Sequence, residues 1–260
     1  MQSHTSIKKR LLAGEKLNGC WIEMFNPIAS EIMAMSGYDT AFVDLEHGPG
    51  SLMDAISMMQ AVERHHCEPI IRTSSSDTVD IKRVLDIGPA GIMIPNIRNP
   101  EEAKEVVRAC RYGPEGIRGA AASLVRASRH GNDVEAYARF MEEDFLLIAQ
   151  VECREAVDRI DEIVQTQGID MILIGPSDLS ASLGAINQFD RPVFIDTFEK
   201  IENSVLRNKK LLGTIPIPGW PADRLYKNGH SLVISGADSL LLKNAAMDDV
   251  TAMQQASKTQ

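Results

Sequence analysis

The 260-residue chain has little of what marks a disulfide-bonded, membrane-spanning or nucleic-acid-binding protein. Its four cysteines, Cys20, Cys67, Cys110 and Cys153, lie far apart and form no CxxC pair, so neither a zinc ribbon nor a disulfide framework is expected. No apolar run approaches the ~20 residues of a membrane span. Met1 to Arg10 are polar and basic, without the apolar stretch of a secretion signal. A soluble, cytoplasmic chain without a membrane partner is the expectation. The formal charge of -9 argues against nucleic acid as a partner, while leaving room for a local cationic pocket around Arg72. Linkers and low-complexity tracts are also missing, and 44% hydrophobic residues can bury a large core, which predicts one domain over 1–260.

Apolar runs recur with helical patterns between them, the signature of repeated βα units. Eight candidate strands lie near Cys20 to Phe25, Thr40 to Asp44, Pro69 to Arg72, Gly91 to Pro95, Leu146 to Glu152, Met171 to Gly175, Leu211 to Ile215 and Ser231 to Ser235. Helices are expected over Pro27 to Ser36, Leu52 to Arg64, Val79 to Leu85, Pro100 to Cys110, Ala156 to Gln165 and Ala222 to Asn228. Eight parallel strands alternating with helices close most naturally into a (β/α)8 barrel. A doubly wound sheet would carry a Gly-rich first turn, whereas the first turn here is Asn26-Pro27-Ile28-Ala29.

In such a barrel the chemistry sits at the C-terminal ends of the strands. Glu152 and Asp178 follow two apolar runs at that end, where two acids chelate a hard divalent cation such as Mg²⁺ or Mn²⁺ better than a closed zinc site would. Asp178 has a second reading as a helix N-cap. Gln150 shares the face of Glu152, and two polar inward positions in succession point to a ligand. The helix start after Gly175-Pro176-Ser177 offers backbone N–H groups to a carboxylate. Alternation places Phe42, Asp44 and Glu46 on one face, with His47 opening the next loop. Arg72 is the nearest group to neutralise one of these acids while its other donors hold a substrate carboxylate or carbonyl oxygen; the alternative is a structural ion pair at the rim.

Other features point away from competing chemistries. Lys82 falls inside a helix and Lys243 well after the eighth strand, so no lysine ends a strand to form a Schiff base. His65-His66-Cys67-Glu68 precedes a strand and belongs to the opposite face. The segment Gly113-Pro114-Glu115-Gly116-Ile117-Arg118-Gly119 lacks the Lys-Ser/Thr ending of a P-loop and is expected to be a long active-site loop. Ser235-Gly236-Ala237-Asp238 reads either as a phosphate turn or as a tight packing turn.

Taken together, Asp44-Leu45-Glu46-His47, Pro69-Ile70-Ile71-Arg72, Ile81 to Gly88, Arg111 to Gly119 and Gly175-Pro176-Ser177-Asp178-Leu179-Ser180 resemble the HpcH/HpaI family of class II, metal-dependent pyruvate aldolases, from about Gly19 to Lys243. The resemblance implies a modified (β/α)8 TIM barrel of the phosphoenolpyruvate/pyruvate type, with its C-terminal helix, here Ser239 to Gln255, exchanged between subunits of a homo-oligomer, usually a hexamer. It implies Glu152 and Asp178 as ligands of Mg²⁺, Mn²⁺ or Co²⁺ with no organic cofactor. Arg72 matches the arginine on the enolate oxygen, His47 the acid–base group, and Gly175 to Asp178 the turn that grips pyruvate. An inward Trp21 would line the substrate pocket, and would bring Glu23 and Phe25 inward with it. Glu23 and Arg129-His130 depart from the family pattern. The activity implied is cleavage of a 4-hydroxy-2-oxoacid to pyruvate and an aldehyde, with an oxaloacetate-type decarboxylase or a non-catalytic keto-acid-binding barrel as alternatives.

Overall fold

A computed structural model of the chain describes residues 5–258. Its first half runs α1 (Ile7–Leu12), β1 (Leu17–Ile22), α2 (Pro27–Met35), β2 (Thr40–Asp44), α3 (Leu52–Glu63), β3 (Glu68–Arg72), α4 (Thr78–Ile87), β4 (Gly91–Ile94) and α5 (Pro100–Cys110). The second half continues with α6 (Val134–Glu143), β5 (Leu146–Val151), α7 (Arg154–Asp158), α8 (Ile160–Val164), β6 (Met171–Ile174), α9 (Pro176–Ser182), α10 (Pro192–Arg207), β7 (Leu211–Thr214), α11 (Ala222–Lys227), β8 (Leu232–Ala237) and α12 (Asp238–Ser257). Each strand pairs in parallel with the next, and β8 returns to β1, so the sheet is a closed eight-stranded barrel.

Local chemistry sets the helix starts. Asn26 accepts from the N–H groups of Ile28 and Ala29 ahead of Pro27, and Ser51 and Asp54 form a capping box on α3. Alternation along the strands then divides the core. Leu17, Phe42, Ile70, Met93, Ile148, Met171, Leu173 and Ile234 fill the barrel interior, while Ile22, Val43, Ile71, Ile92 and Ala149 face the helices. Ile7 and Leu11 of α1 join the interior cluster and close its N-terminal end. A fully buried side chain of this kind contributes about 1.5–3 kcal/mol. The interior is therefore largely apolar, and the buried charged side chains Asp44, Arg72 and Glu152 stand towards its C-terminal rim.

Two expectations about the elements are corrected. The first strand is Leu17–Ile22 rather than Cys20 to Phe25, because the N–H groups of Glu23 and Met24 donate to the Asp238 carboxylate (3.0 and 3.1 Å) and Phe25 turns left-handed at φ 49°. Helix Ala156 to Gln165 is broken at Arg159 into α7 and α8. The C-terminal helix does not cover its own sheet: beyond Asp238 it is exposed, including Leu240, Leu241, Leu242, Met247, Val250 and Met253. Helices α1, α6 and α10 were not foreseen. Among the described residues no helix is long and apolar enough to cross a membrane.

Candidate active site

Register brings the first group together. β2 and β3 pair with Asp44 beside Arg72, so the last residue of each strand meets the other at the rim. Arg72 Nε donates to Asp44 Oδ1 (2.8 Å) and Nη2 to Oδ2 (2.5 Å), a bidentate fork, while Nη1 lies 3.2 Å from Glu46 Oε2. The guanidinium carbon also stands 4.3 Å from the centre of the Trp21 ring, which itself packs on Phe42. Trp21 thus faces inward as expected, and Arg72, 7% exposed, is fixed from three sides. Burial would raise the Asp44 carboxyl, but the Arg72 hydrogen bonds and charge outweigh it and hold the group below the usual carboxylate range. Glu46 goes the other way, raised by burial against the pull of Arg72 and His47.

Asp44 Oδ1 accepts two further bonds, from the backbone N–H groups of Glu46 (3.0 Å) and His47 (3.3 Å). The loop carrying His47 is thereby folded back over the ion pair. The imidazole projects into solvent, 64% exposed, with Nε2 3.8 Å from Glu46 Oε2. From outside, the same loop is held by Phe25: a Cβ on Gly48 or Gly50 would collide with the Phe25 ring.

The second group sits across the mouth. Glu152 follows β5 and is 5% exposed; its Oε1 accepts the Asn96 N–H (2.8 Å) and its Oε2 the Gln150 side-chain amide. Burial, reinforced by the nearby Glu46 and Asp178 carboxylates, raises Glu152 to about 7 against those two hydrogen bonds. Three acids that repel one another around a buried carboxyl, with the Gln150 Oε1 buried and unpartnered beside them, form an all-oxygen set suited to a hard divalent cation. Among the described residues no three His, Cys, Asp or Glu have the spacing of a closed metal site. The donor set fits an open site, in which Glu152 and Asp178 would be the protein ligands and water or substrate would fill the other positions. Gly175 makes room for it, since a Cβ there would run into Glu152 Oε2.

Asp178 is not an N-cap. Gly175 holds that position, and Asp178 is the third residue of α9, exposed in the first turn. Pro176 has no N–H and that of Gly175 donates to Val151 O (3.1 Å), so Ser177 and Asp178 supply the remaining turn donors. Glu23 and Phe25 lie beyond the end of β1, so strand parity does not turn them inward; Glu23 Oε2 accepts from the Ser239 hydroxyl (2.7 Å).

The segment 113–119 is not an active-site loop at the barrel mouth. It follows the C-terminal end of α5 and packs near α4, with Arg118 on Asp86 (3.0 Å), on the face opposite the strand ends. His65 to Glu68 is on that face too, as expected. Gly236 lies in β8, where a Cβ would press on Tyr38, so the expected turn is a packing feature. The sequence reading missed Asn96, Phe25 and Asp238. Asn96 had a signal, an asparagine just after a strand, where its tolerance of the left-handed region (φ 51°) lets the N–H point at Glu152.

Residues 17–245 match the model of the family described as HpcH/HpaI aldolase/citrate lyase. The chain belongs to this family. A protein named pyruvate aldolase from Rhizobium etli is 38% identical over 238 residues, covering 90% of this chain and 92% of that protein. One named 2-keto-3-deoxy-L-rhamnonate aldolase from Escherichia coli is 37% identical over 254 residues, covering 96% and 93%. Among solved structures, an HpcH/HpaI aldolase/citrate lyase family protein from Burkholderia cenocepacia superposes with a TM-score of 0.88 at 29% identity, covering 95% and 98%. The chain is accordingly an enzyme of the aldolase type, a carbon–carbon lyase, in a metal-dependent family.

Proposed function

We propose that this aldolase reversibly cleaves a 4-hydroxy-2-oxoacid to pyruvate and an aldehyde through a pyruvate enolate. The observation that carries this reading is the opposition, across one barrel mouth, of the buried oxygens of Glu152 and Gln150, with the exposed Asp178 carboxylate beside them, to the fixed guanidinium of Arg72. A divalent cation held by Glu152 and Asp178 would supply Lewis-acid polarisation of the 2-oxo group. The N–H groups of Ser177 and Asp178 hold the pyruvate carboxylate. Arg72, already aligned by Asp44 and Glu46, stabilises the negative oxygen that develops as the methyl group loses a proton. His47, exposed at the rim, moves protons between the reacting carbon or the aldehyde oxygen and solvent. Trp21 closes the pocket wall above Arg72.

Removing metal with EDTA is expected to abolish exchange of the pyruvate methyl protons with deuterated solvent, and Mn²⁺, Co²⁺ or Mg²⁺ to restore it. Borohydride trapping of pyruvate on a lysine would overturn the scheme. Release of CO₂ from oxaloacetate, followed in the same preparation, separates decarboxylation from aldol cleavage.

The proposal extends to assembly. In a single barrel domain over 1–260 the helix α12 leaves Leu240, Leu241, Leu242, Met247, Val250 and Met253 in solvent, and exchange of α12 with a neighbour in a homo-oligomer, a hexamer by family resemblance, would cover them. The cytoplasm is the proposed location.

A further inference from the structure

The imidazole of His47 projects into solvent, and its Nε2 stands 3.8 Å from Glu46 Oε2, beyond hydrogen-bond length. Its place at the rim is therefore set by the backbone of residues 45–51 rather than by contacts of the ring. That stretch is tied at both ends: Asp44 Oδ1 accepts from the N–H groups of Glu46 and His47, and Ser51 and Asp54 cap α3. Between the ties, Gly48, Pro49 and Gly50 make no hydrogen bond among the described residues. Gly50 also borders a cleft of about 150 Å³ with Leu45, Leu52 and Val84, so the loop is not packed all round.

The packing that remains is the Phe25 ring. A Cβ at Gly48 or at Gly50 would fall on it, and the three nearest atoms to a Cβ at Gly50 all belong to that ring. Neither glycine has a positive φ, so at position 50 the ring, and not the backbone conformation, is what excludes a side chain. Phe25 is itself held on both sides. Asp238 accepts from the N–H groups of Glu23 and Met24 just before it, Asn26 caps α2 just after it, and its side chain packs on the core.

We propose that Phe25 is a positioning residue for proton transfer: its ring, resting on Gly48 and Gly50, holds the backbone that carries His47. This rests on the reading of His47 as the group that moves protons to and from the substrate. Phe25 acts through His47 alone, so its removal costs turnover only where His47 is present.

The test is a double-mutant cycle, read as kcat for pyruvate addition to glycolaldehyde with Mn²⁺. Phe25→Ala is expected to lower kcat roughly tenfold, within the loss of about a hundredfold that ~1 Å of misplacement can cause, while KM for pyruvate and Mn²⁺ affinity stay within about twofold. In the His47→Ala background, with imidazole added to carry the proton, Phe25→Ala should change kcat by less than about twofold. An equal loss in both backgrounds, or wild-type kcat in Phe25→Ala, would overturn the proposal. Gly50→Ala reaches the same contact from the loop side with the ring in place, and serves if Phe25→Ala does not fold. Its methyl group should drive the loop off the ring and lower kcat by a similar factor, again only where His47 is present. The pair Phe25→Ala/Gly50→Ala is expected to lose no more than the worse single change, since the vacated ring space takes the new methyl group; losses that multiply would refute the contact. His47→Ala turning over at the wild-type rate without imidazole would overturn the reading of His47 itself, and this proposal with it.

Discussion

Replacing Gly175 by alanine perturbs the cation site by one methyl group and little else. The backbone at Gly175, with φ −91° and ψ 93°, is open to alanine, so no conformational penalty arises. The new Cβ would collide with Glu152 Oε2 and stand 2.9 Å from Gln150 Nε2 and 3.0 Å from Glu152 Cβ. The carboxylate must therefore swing away from its bond to Asn96 or the β5–β6 rim must open, an overpacking cost of about 1–3 kcal/mol. Displacing one of two protein ligands, or breaking the support that orients it, lowers metal affinity by about 10–100-fold, ~1.4–2.7 kcal/mol. Calorimetric titration with Mn²⁺ measures the loss directly, and thermal melting in EDTA separates it from destabilisation of the barrel. Gly119→Ala is the control, since the nearest atom to a Cβ there is Lys82 Cδ at 3.7 Å, far from the mouth. An unchanged Mn²⁺ affinity in Gly175→Ala would refute the assignment of Glu152 as a ligand placed by this contact.

Two further outcomes are expected. Arg72→Lys keeps the charge but loses the planar fork that binds Asp44 while leaving a donor for the substrate, so pyruvate proton exchange should fall on the order of a hundredfold or more with a much smaller change in metal affinity; exchange at the wild-type rate would rule the role out. If α12 is exchanged in a homo-oligomer as proposed, truncation after Lys243 removes most of that helix and should give smaller, weakly active species than the full chain by light scattering, whereas an unchanged size with full activity would exclude helix exchange.

The barrel was legible because short apolar runs alternate with helical patterns along the chain, and because position at a strand end separates Arg72 and Glu152 from His65 and Glu68. Asp44 and Gln150 followed from alternation within β2 and β5, whereas Glu46 and His47 lie in the turn after β2 and are set by their backbone N–H bonds to Asp44. Parity failed at Glu23 and Phe25, where the strand had already ended; its end is set by the Asp238 carboxylate, more than two hundred residues away in sequence and invisible to a local pattern. The segment 113–119 was placed at the active face by its glycines, although its position after a helix and before a strand puts it at the other end. Gly175 and Asn96 act through backbone contacts with Glu152, which neither hydropathy nor charge encodes.

Phe25 ties together two stretches of chain that barrel architecture would otherwise leave independent. Its ring fills the space that side chains at positions 48 and 50 would occupy, so the loop bearing Glu23 and the loop bearing His47 form one mechanical unit. Barrels diversify by exchanging rim loops singly. Here residues 23–26 and 45–51 must travel as a pair. A graft that brings a foreign 23–26 loop without the companion glycines of 45–51 would displace His47 along with it, so point changes within the two loops disturb the rim less than replacement of either.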